Sequence, residues 1–441
     1  MFGITDGFDV VIGNPPYVVS KGGRYTGTEF SKELIKYFKQ KFKTAEQQFN
    51  TYTIFIELTK SLLTKSGISY FIVPNTFLAN EYSFKLRDFL NIECNVYELF
   101  NTGLVFEAAS VETVVIGFGI HHSDYIKVRY NADSYSFLKT NEILSLTEDK
   151  KFLIKLNPTT LSLIQKMNQY PKVKKFAKVW RGLTTGNDSK YITDIQKTKR
   201  HKPLIIGSDI EKYGSLLNKK FVEYIPEELD RARDERIFLL KEKLVSKFVG
   251  TDLTFTYDSN KYYVLNSGCV TEIINKSLNI KYLLALLNSN ILNFYFSNVF
   301  TDYRDTFPIM KSGNIECLPI PEINIKIQQK FFNIVDFVLA TKKKKKDSFF
   351  FERLIDTMVC ELYFPEEIKA ADAEVLKYLS NLPELIDEWS DEKKLEVIDK
   401  VYKELSDPKH PVSIAMEKQK LVPEIRIIEG LPALNEVERD K

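Results

Sequence analysis

Histidine is scarce, four in 441 residues, and His121 and His122 are adjacent. That leaves little material for a metal cluster or a serine–histidine–aspartate relay, and no metal site is expected. Cysteine is equally sparse, with Cys94, Cys269, Cys317 and Cys360 far apart and no CxxC pair among them. Such spacing argues against a disulfide framework or structural zinc and fits reduced thiols in a cytoplasm. The opening MFGITDGFDV has two acids and no basic stretch leading into an apolar core, so it does not read as a signal peptide. Membrane-length apolar runs are missing too. The most apolar stretch, Tyr282 to Phe300, is interrupted by Asn288, Ser289, Asn290 and Asn293 and reads as a buried helix.

What is present is a chain able to bury a sizeable core, with 44% hydrophobic and 27% charged residues. Its length suits two or three domains. The net charge of +3 conceals a division. From Glu366 to Lys441 there are 19 acids and 12 bases, whereas the remainder carries 50 bases against 40 acids. Lys172 to Lys202 is the most biased segment, with ten Lys/Arg, only Asp188 and Asp194, and Phe176, Trp180 and Tyr191 interleaved. A solvated loop carries such charge, and a surface for a phosphate backbone fits it as well. Lys342 to Lys346 is a run of five lysines, read equally as a solvated face or a DNA contact.

Strand and helix signals alternate through the first 125 residues. Phe8 to Ile12 and Ser69 to Val73 are short apolar strands, Thr53 to Thr64 and Leu86 to Leu90 carry helical spacing, and Val96 to Phe100 and Val111 to Phe118 are strands again. This is the grammar of an α/β sheet. Beyond about Asp124 short strand-like runs dominate, and from Ile327 the chain is mostly helical. The division expected is therefore 1–125, 126–325 and 326–441.

The most specific feature is FDVVIGNPPYV, Phe8 to Val18. Asn-Pro-Pro-Tyr arises by chance in a chain this long with probability on the order of a thousandth. Two prolines fix φ and remove two donors, so the turn offers rigid carbonyl acceptors. Asn14 precedes a proline and is pushed to an extended conformation that aims its side-chain oxygen alongside the Pro15 carbonyl. Two acceptors then converge on one amino group, such as the exocyclic amine of adenine. Tyr17 supplies a flat face for a base rotated out of a duplex, and Gly13 removes a side chain where a ligand comes close. The plainer alternative is that Pro15 and Pro16 terminate a strand and Tyr17 packs in the core.

FDVVIGNPPYV resembles the catalytic motif of the amino-methyltransferases that use S-adenosylmethionine. GISYFIVPNTFLAN (Gly67 to Asn80) and VFEAASVETVVIGF (Val105 to Phe118) resemble later segments of the large adenine-specific methylases of Type IIG restriction-modification systems. KVWRGLTTGNDSKYI (Lys178 to Ile192), KPLIIGSDIEKY (Lys202 to Tyr213), YLLALLNSNILNFYF and CLPIP (Cys317 to Pro321) are similar to their TaqI-like target-recognition domain. The resemblance covers about residues 1–365. It implies a partial Rossmann-like methyltransferase sheet, a mixed α/β target-recognition domain and a helical C-terminal region with an acidic tail. It assigns base activation to Asn14, Pro15, Pro16 and Tyr17, base stacking to Tyr17 and Phe106, and DNA contacts to Lys178, Arg181, Thr184, Thr185, Asn187 and Lys190. Leu161 to Pro321 would read the sequence of double-stranded DNA.

In that family the glycine-rich S-adenosylmethionine loop precedes the Asn-Pro-Pro-Tyr motif, and only seven residues precede Phe8 here. The resemblance thus implies that the cofactor-binding half is absent, that another chain supplies it or the product is truncated, and that activity depends on it. A non-catalytic DNA-specificity subunit is the alternative from another class. Methylation of a protein glutamine amide uses the same tetrapeptide, but has no evident use for the basic domain.

Overall fold

The computed structural model describes residues 6–20, 30–46, 48–105, 111–131, 134–217, 219–300 and 309–432. Their contacts divide the chain into two compact units, one of Met1–Gln165 with Asn298–Arg304, the other of Lys166–Ser297 with Asp305–Lys441.

The first unit contains β1 (Phe8–Gly13), α1 (Lys32–Lys41), α2 (Thr51–Lys60), β2 (Leu63–Pro74), α3 (Phe84–Ile92), β3 (Asn95–Gly103), β4 (Thr113–Gly119), β5 (Tyr125–Arg129), β6 (Ser136–Lys139) and α4 (Thr140–Leu144), and α5 (Pro158–Asn168) runs across the boundary. One mixed sheet has the order β1-β2-β4-β3-β5-β6. Alternation along β2 buries Phe71 and Val73 with Val96 and Leu99 of β3 and Val114, Ile116 and Phe118 of β4. β1 runs parallel to β2, with Gly13 opposite Phe71. It lies at the sheet edge, so Phe8, Val10 and Ile12 are exposed, Ile12 to 78%. The helical spacing from Thr53 stops at Lys60, because Leu63 already pairs with Phe8 in the sheet. β5 and β6 extend this sheet to Lys139, past the change of sequence pattern at Asp124. Arg87 is fully buried and donates to the Phe77, Asn80 and Asp149 carbonyls, fastening the loops behind the sheet.

The second unit contains β7 (Ala177–Arg181), α6 (Asp188–Tyr191), β8 (Ile192–Thr193), β9 (His201–Ile205), β10 (Lys220–Glu223), β11 (Lys243–Lys247), β12 (Phe255–Asp258), β13 (Tyr263–Val264) and β14 (Gly268–Ile273). Two four-stranded sheets, β13-β9-β10-β8 and β12-β11-β14-β7, share a core that includes Leu204, Val222, Val245 and Val270. Beneath it lies a fully buried ion pair. Lys243 Nζ is 2.5 Å from Asp258 Oδ2 and donates to the Phe238 carbonyl, while the Asn260 and Tyr262 N–H groups donate to the same carboxylate.

Tyr282 to Phe300 is two helices rather than the single one expected, α7 (Ile280–Leu287) and α8 (Asn290–Val299), the latter crossing the unit boundary. At the break, the Asn288 amide accepts from the Phe255 N–H and donates to the Phe255 carbonyl, standing in for a strand beside β12. After α9 (Ser312–Glu316) come α10 (Ile325–Lys343), α11 (Phe349–Tyr363), α12 (Pro365–Ala370), α13 (Asp391–Leu405), α14 (Pro411–Gln419) and α15 (Pro423–Ile428). The acidic segment folds back on the lysine run. Asp391 pairs with Lys343 and Lys344, and Glu352 with Lys342. No described helix is long and apolar enough to cross a membrane.

Candidate functional site

Asn14 to Tyr17 follow β1 directly, at the carboxyl end of the parallel β1–β2 pair, where open α/β sheets place their ligands. Gly13 has a packing reason as well, since a Cβ there would lie 3.0 Å from the Phe71 ring. The turn is clamped by the start of α2. The Thr51 hydroxyl donates to the Pro16 carbonyl, the Thr51 N–H donates to the Val18 carbonyl at 2.9 Å, and Val19 bridges Asn50. Tyr17 is half-buried, its hydroxyl donates to the Ile72 carbonyl at 2.9 Å, and its ring meets Tyr52 edge-on with centroids 6.4 Å apart. Burial raises the Tyr17 pKa, so the phenol stays a donor at neutral pH.

This clamping selects which acceptors remain. The Pro16 carbonyl is engaged by Thr51, but no described donor meets the Pro15 carbonyl or the exposed Asn14 amide. Among the described residues, the exposed Asn14 amide and the carbonyl of the buried Pro15 are therefore the acceptors left unengaged at the end of the sheet. The Gly67 to Asn80 segment is tied in through Asn75, which donates from Nδ2 to Glu112 and from its N–H to the Glu112 carbonyl. Phe106 lies outside the described residues. Thr51 and Tyr52, which hold the turn, were not singled out in the sequence, because a single hydroxyl or phenol at a helix start carries no local signal.

In the second unit, β7 ends at Arg181 and leads into Gly182 to Gly186. Gly182 is required by close approach, since a Cβ there would fall 2.2 Å from the Leu265 carbonyl oxygen. Gly186 has φ 78°, the left-handed region glycine favours. The loop is stitched on both sides: the Leu183 N–H donates to the Val264 carbonyl, and Thr184 and Arg231 exchange two backbone hydrogen bonds, each 2.9 Å.

Of the six side chains read as DNA contacts, most already have partners. Lys178 pairs with Glu316 at 3.3 Å, and Lys190 with Glu228 at 3.1 Å. Thr185 is buried with its hydroxyl on Asp188, and Asn187 caps α6 by accepting from the Lys190 N–H. Thr184 Oγ1 accepts from Asn266 Nδ2. Arg181 is engaged only in part, its Nη groups meeting no partner among the described residues. It is exposed, its Nε donates to the Asn266 carbonyl at 3.0 Å, and its guanidinium lies 3.6 Å from the centroid of the Phe248 ring. The loop also brings up Arg231 and Arg233, which sequence reasoning missed because RARDER alternates charge and reads as nearly neutral.

Residues 1–106 match the Eco57I restriction-modification methylase family, and residues 202–320 match the TaqI-like C-terminal specificity domain. The chain thus joins a segment similar to restriction-modification methylases to one similar to their specificity domains. It is 30% identical over 159 residues to the Type II restriction enzyme and methyltransferase RM.Eco57I of Escherichia coli, covering 35% of this chain and 15% of that protein. It is 33% identical over 114 residues to the Type II methyltransferase M.TthHB8I of Thermus thermophilus, covering 26% of each. The chain thus spans about a quarter or less of the length of these curated relatives. The solved Type IIL restriction-modification enzyme MmeI, in complex with DNA, shares the fold, with a TM-score of 0.52 over 89% of this chain and 57% of that one at 12% identity. The methylase match contains Asn14 to Tyr17. The specificity match contains Arg231, Arg233, Phe248 and Asn266.

Proposed function

We propose that the chain carries the base-binding and DNA-reading parts of an adenine-specific N6-methyltransferase of a restriction-modification system. The observation that carries this reading is the pair of unengaged acceptors, Asn14 and Pro15, held at the end of β1 beside Tyr17. Two acceptors suit the two hydrogens of an exocyclic amine. With both hydrogens held, the nitrogen lone pair is drawn out of conjugation with the ring and becomes the nucleophile, with no metal and no covalent protein intermediate. The base reaches this turn only if rotated out of the duplex, and Tyr17, fixed through its hydroxyl, offers a ring against which it stacks.

S-adenosylmethionine, the methyl donor general to such methyltransferases, does not fit the described residues. β1 leads through Asn14 into two prolines without N–H donors, and β2 ends at Pro74 ahead of Asn75, so neither forms a glycine-rich turn that could cradle the ribose or carboxylate of the donor. The open apolar edge of β1 supports pairing with a further segment, in this protein or a partner chain, that brings the donor. The same edge favours a second reading, a non-catalytic specificity chain docked on a catalytic one.

The test is calorimetric titration of the purified chain with S-adenosylmethionine, alone and with duplex DNA, followed by mass spectrometry of nucleosides from incubated unmethylated DNA. Salt-dependent DNA binding, with N6-methyladenine formed once the products of neighbouring genes are added, supports the proposal. N4-methylcytosine in place of N6-methyladenine overturns the adenine assignment. DNA binding with no methylated base under any combination favours the specificity chain.

A further inference from the structure

Three arginines crowd the loop after β7 without a carboxylate to neutralise them. Arg181 is pinned from two sides, by Phe248 under its guanidinium plane and by the Asn266 carbonyl on its Nε. Arg233 donates its own Nε to the Gly182 carbonyl at 3.3 Å, so it reaches back to the residue following Arg181. Arg231 is exposed and locked to Thr184 by the paired backbone hydrogen bonds. Among the described residues none of the three forms an ion pair, and no partner meets the Nη groups of Arg181 or Arg233. Arg236, on the same segment, shows what neutralisation looks like here: both its Nη atoms engage the two oxygens of Glu272.

The backbone supports a special role for Arg233. Its φ is 67°, a left-handed conformation strained for any residue but glycine. Such positions persist where the surrounding structure over-determines them and cluster at binding sites. The Arg181 guanidinium is also held below its ordinary pKa, first by partial burial and then by the positive charges of Arg233 and Arg231. Concentrating positive charge in this way is unfavourable in the free protein and favourable once an anion or a set of acceptors arrives.

We infer that Arg181 and Arg233 are two pre-oriented guanidinium forks, backed by Arg231, that take paired acceptors on duplex DNA, either the O6/N7 edge of a guanine or the oxygens of a backbone phosphate. The inference rests on the reading of this chain as a DNA-recognition protein. In each fork Nε is engaged by a protein carbonyl and the Nη side is left for the ligand. Fixing the plane in advance is what bidentate recognition needs and what a lysine cannot supply.

The test measures binding of the full chain to a mixed-sequence duplex pool by fluorescence anisotropy between about 50 and 200 mM salt. It is followed by selection of bound sequences from randomised duplexes. Arg181→Ala and Arg233→Ala are expected each to weaken binding by roughly tenfold, within the range of a lost bidentate contact. Arg233→Lys is expected not to rescue, whereas Lys393→Ala, at an exposed position on α13 outside the arginine cluster, leaves binding unchanged. Arg233→Gly removes the fork while suiting φ 67°, so it reports on binding even if the alanine variant folds poorly.

If the acceptor is a phosphate, the loss is uniform across sequences and the slope of log K against log salt falls by about one. If it is a guanine, selection relaxes at one position and the slope is unchanged. Either pattern supports the inference. Wild-type binding by a folded Arg181→Ala/Arg233→Gly double variant overturns it while leaving the proposed function intact. A wild-type chain that binds no duplex overturns the reading beneath it.

Discussion

The turn after β1 and the loop after β7 follow a strand in the same way and present opposite chemistry. Asn14 and Pro15 offer acceptors and no cation, whereas Arg181, Arg231 and Arg233 offer donors and no anion. Each site engages part of its polar capacity within the protein and leaves the rest without a partner among the described residues. Tyr17 is fixed through its hydroxyl and Pro16 through its carbonyl, which leaves Asn14 and Pro15. The two arginine Nε groups are engaged by carbonyls, which leaves the Nη groups. The difference teaches that an acceptor-bearing turn and an arginine-bearing loop can be separate constructions, each preorganised by hydrogen bonds within the protein.

That separation can be broken. The largest effect is expected from Lys243→Ala, which strands the Asp258 carboxylate in the core of the recognition unit and should cost about 3–5 kcal/mol. Urea unfolding followed by fluorescence should show this as early loss of the second unit. If the two sites are independent structures, the transition of the first unit stays in place. Next comes Asn14→Ala, expected to lower N6-methyladenine formation on the order of 100-fold, a loss comparable to that of one preorganised polar contact in a transition state. Its duplex affinity, measured by anisotropy, should stay within about twofold of wild type, and an equal loss of affinity would merge the two sites into one.

Smaller changes sharpen the contrast. Tyr17→Phe removes the hydrogen bond to Ile72 and keeps the ring, so a thermal melt should register about 1 kcal/mol while methyl transfer falls only modestly. Asp356, on α11 of the second unit, has its pKa pushed up to about 6 by burial, against 3.8 unperturbed. The folded state then holds its proton more tightly than the unfolded chain, so the stability from this group is complete below pH 3.8 and declines as pH rises through about 6. Asp356→Asn should flatten that decline and gain up to about 1 kcal/mol at pH 7, the remaining solvent contact having reduced the full linkage value. Denaturant midpoints across pH 3.5–7.5 check it, and methyl transfer should not follow.

Much of the first sheet was readable from local pattern. Short apolar runs marked Phe8 to Ile12 and Ser69 to Val73, and Val96 to Phe100 read as a further strand, because β-favouring side chains cluster locally whatever lies beside them. The division of Tyr282 to Phe300 was not, because the break depends on the Asn288 amide finding the backbone of Phe255, 33 residues away. The lysine run showed its charge but not the pairing of Lys342, Lys343 and Lys344, which comes from Glu352 and Asp391 on later helices. At the recognition loop, the glycines of Arg-Gly-x-x-Thr-Gly were visible and the converging arginines were not.

The sequence by itself determined the chemistry of the turn after β1. Two prolines restrict their own φ angles and delete their own donors, and that effect needs no distant residue. Only the tertiary structure decided which charges stay available. Arg236 and Arg233 sit three positions apart on one segment, yet Arg236 is neutralised by Glu272 of β14 while Arg233 turns to the Gly182 carbonyl and keeps its Nη groups free. Neutralisation depends on distance through space, and the distances among residues 182, 233, 236 and 272 are set by how the strands pair.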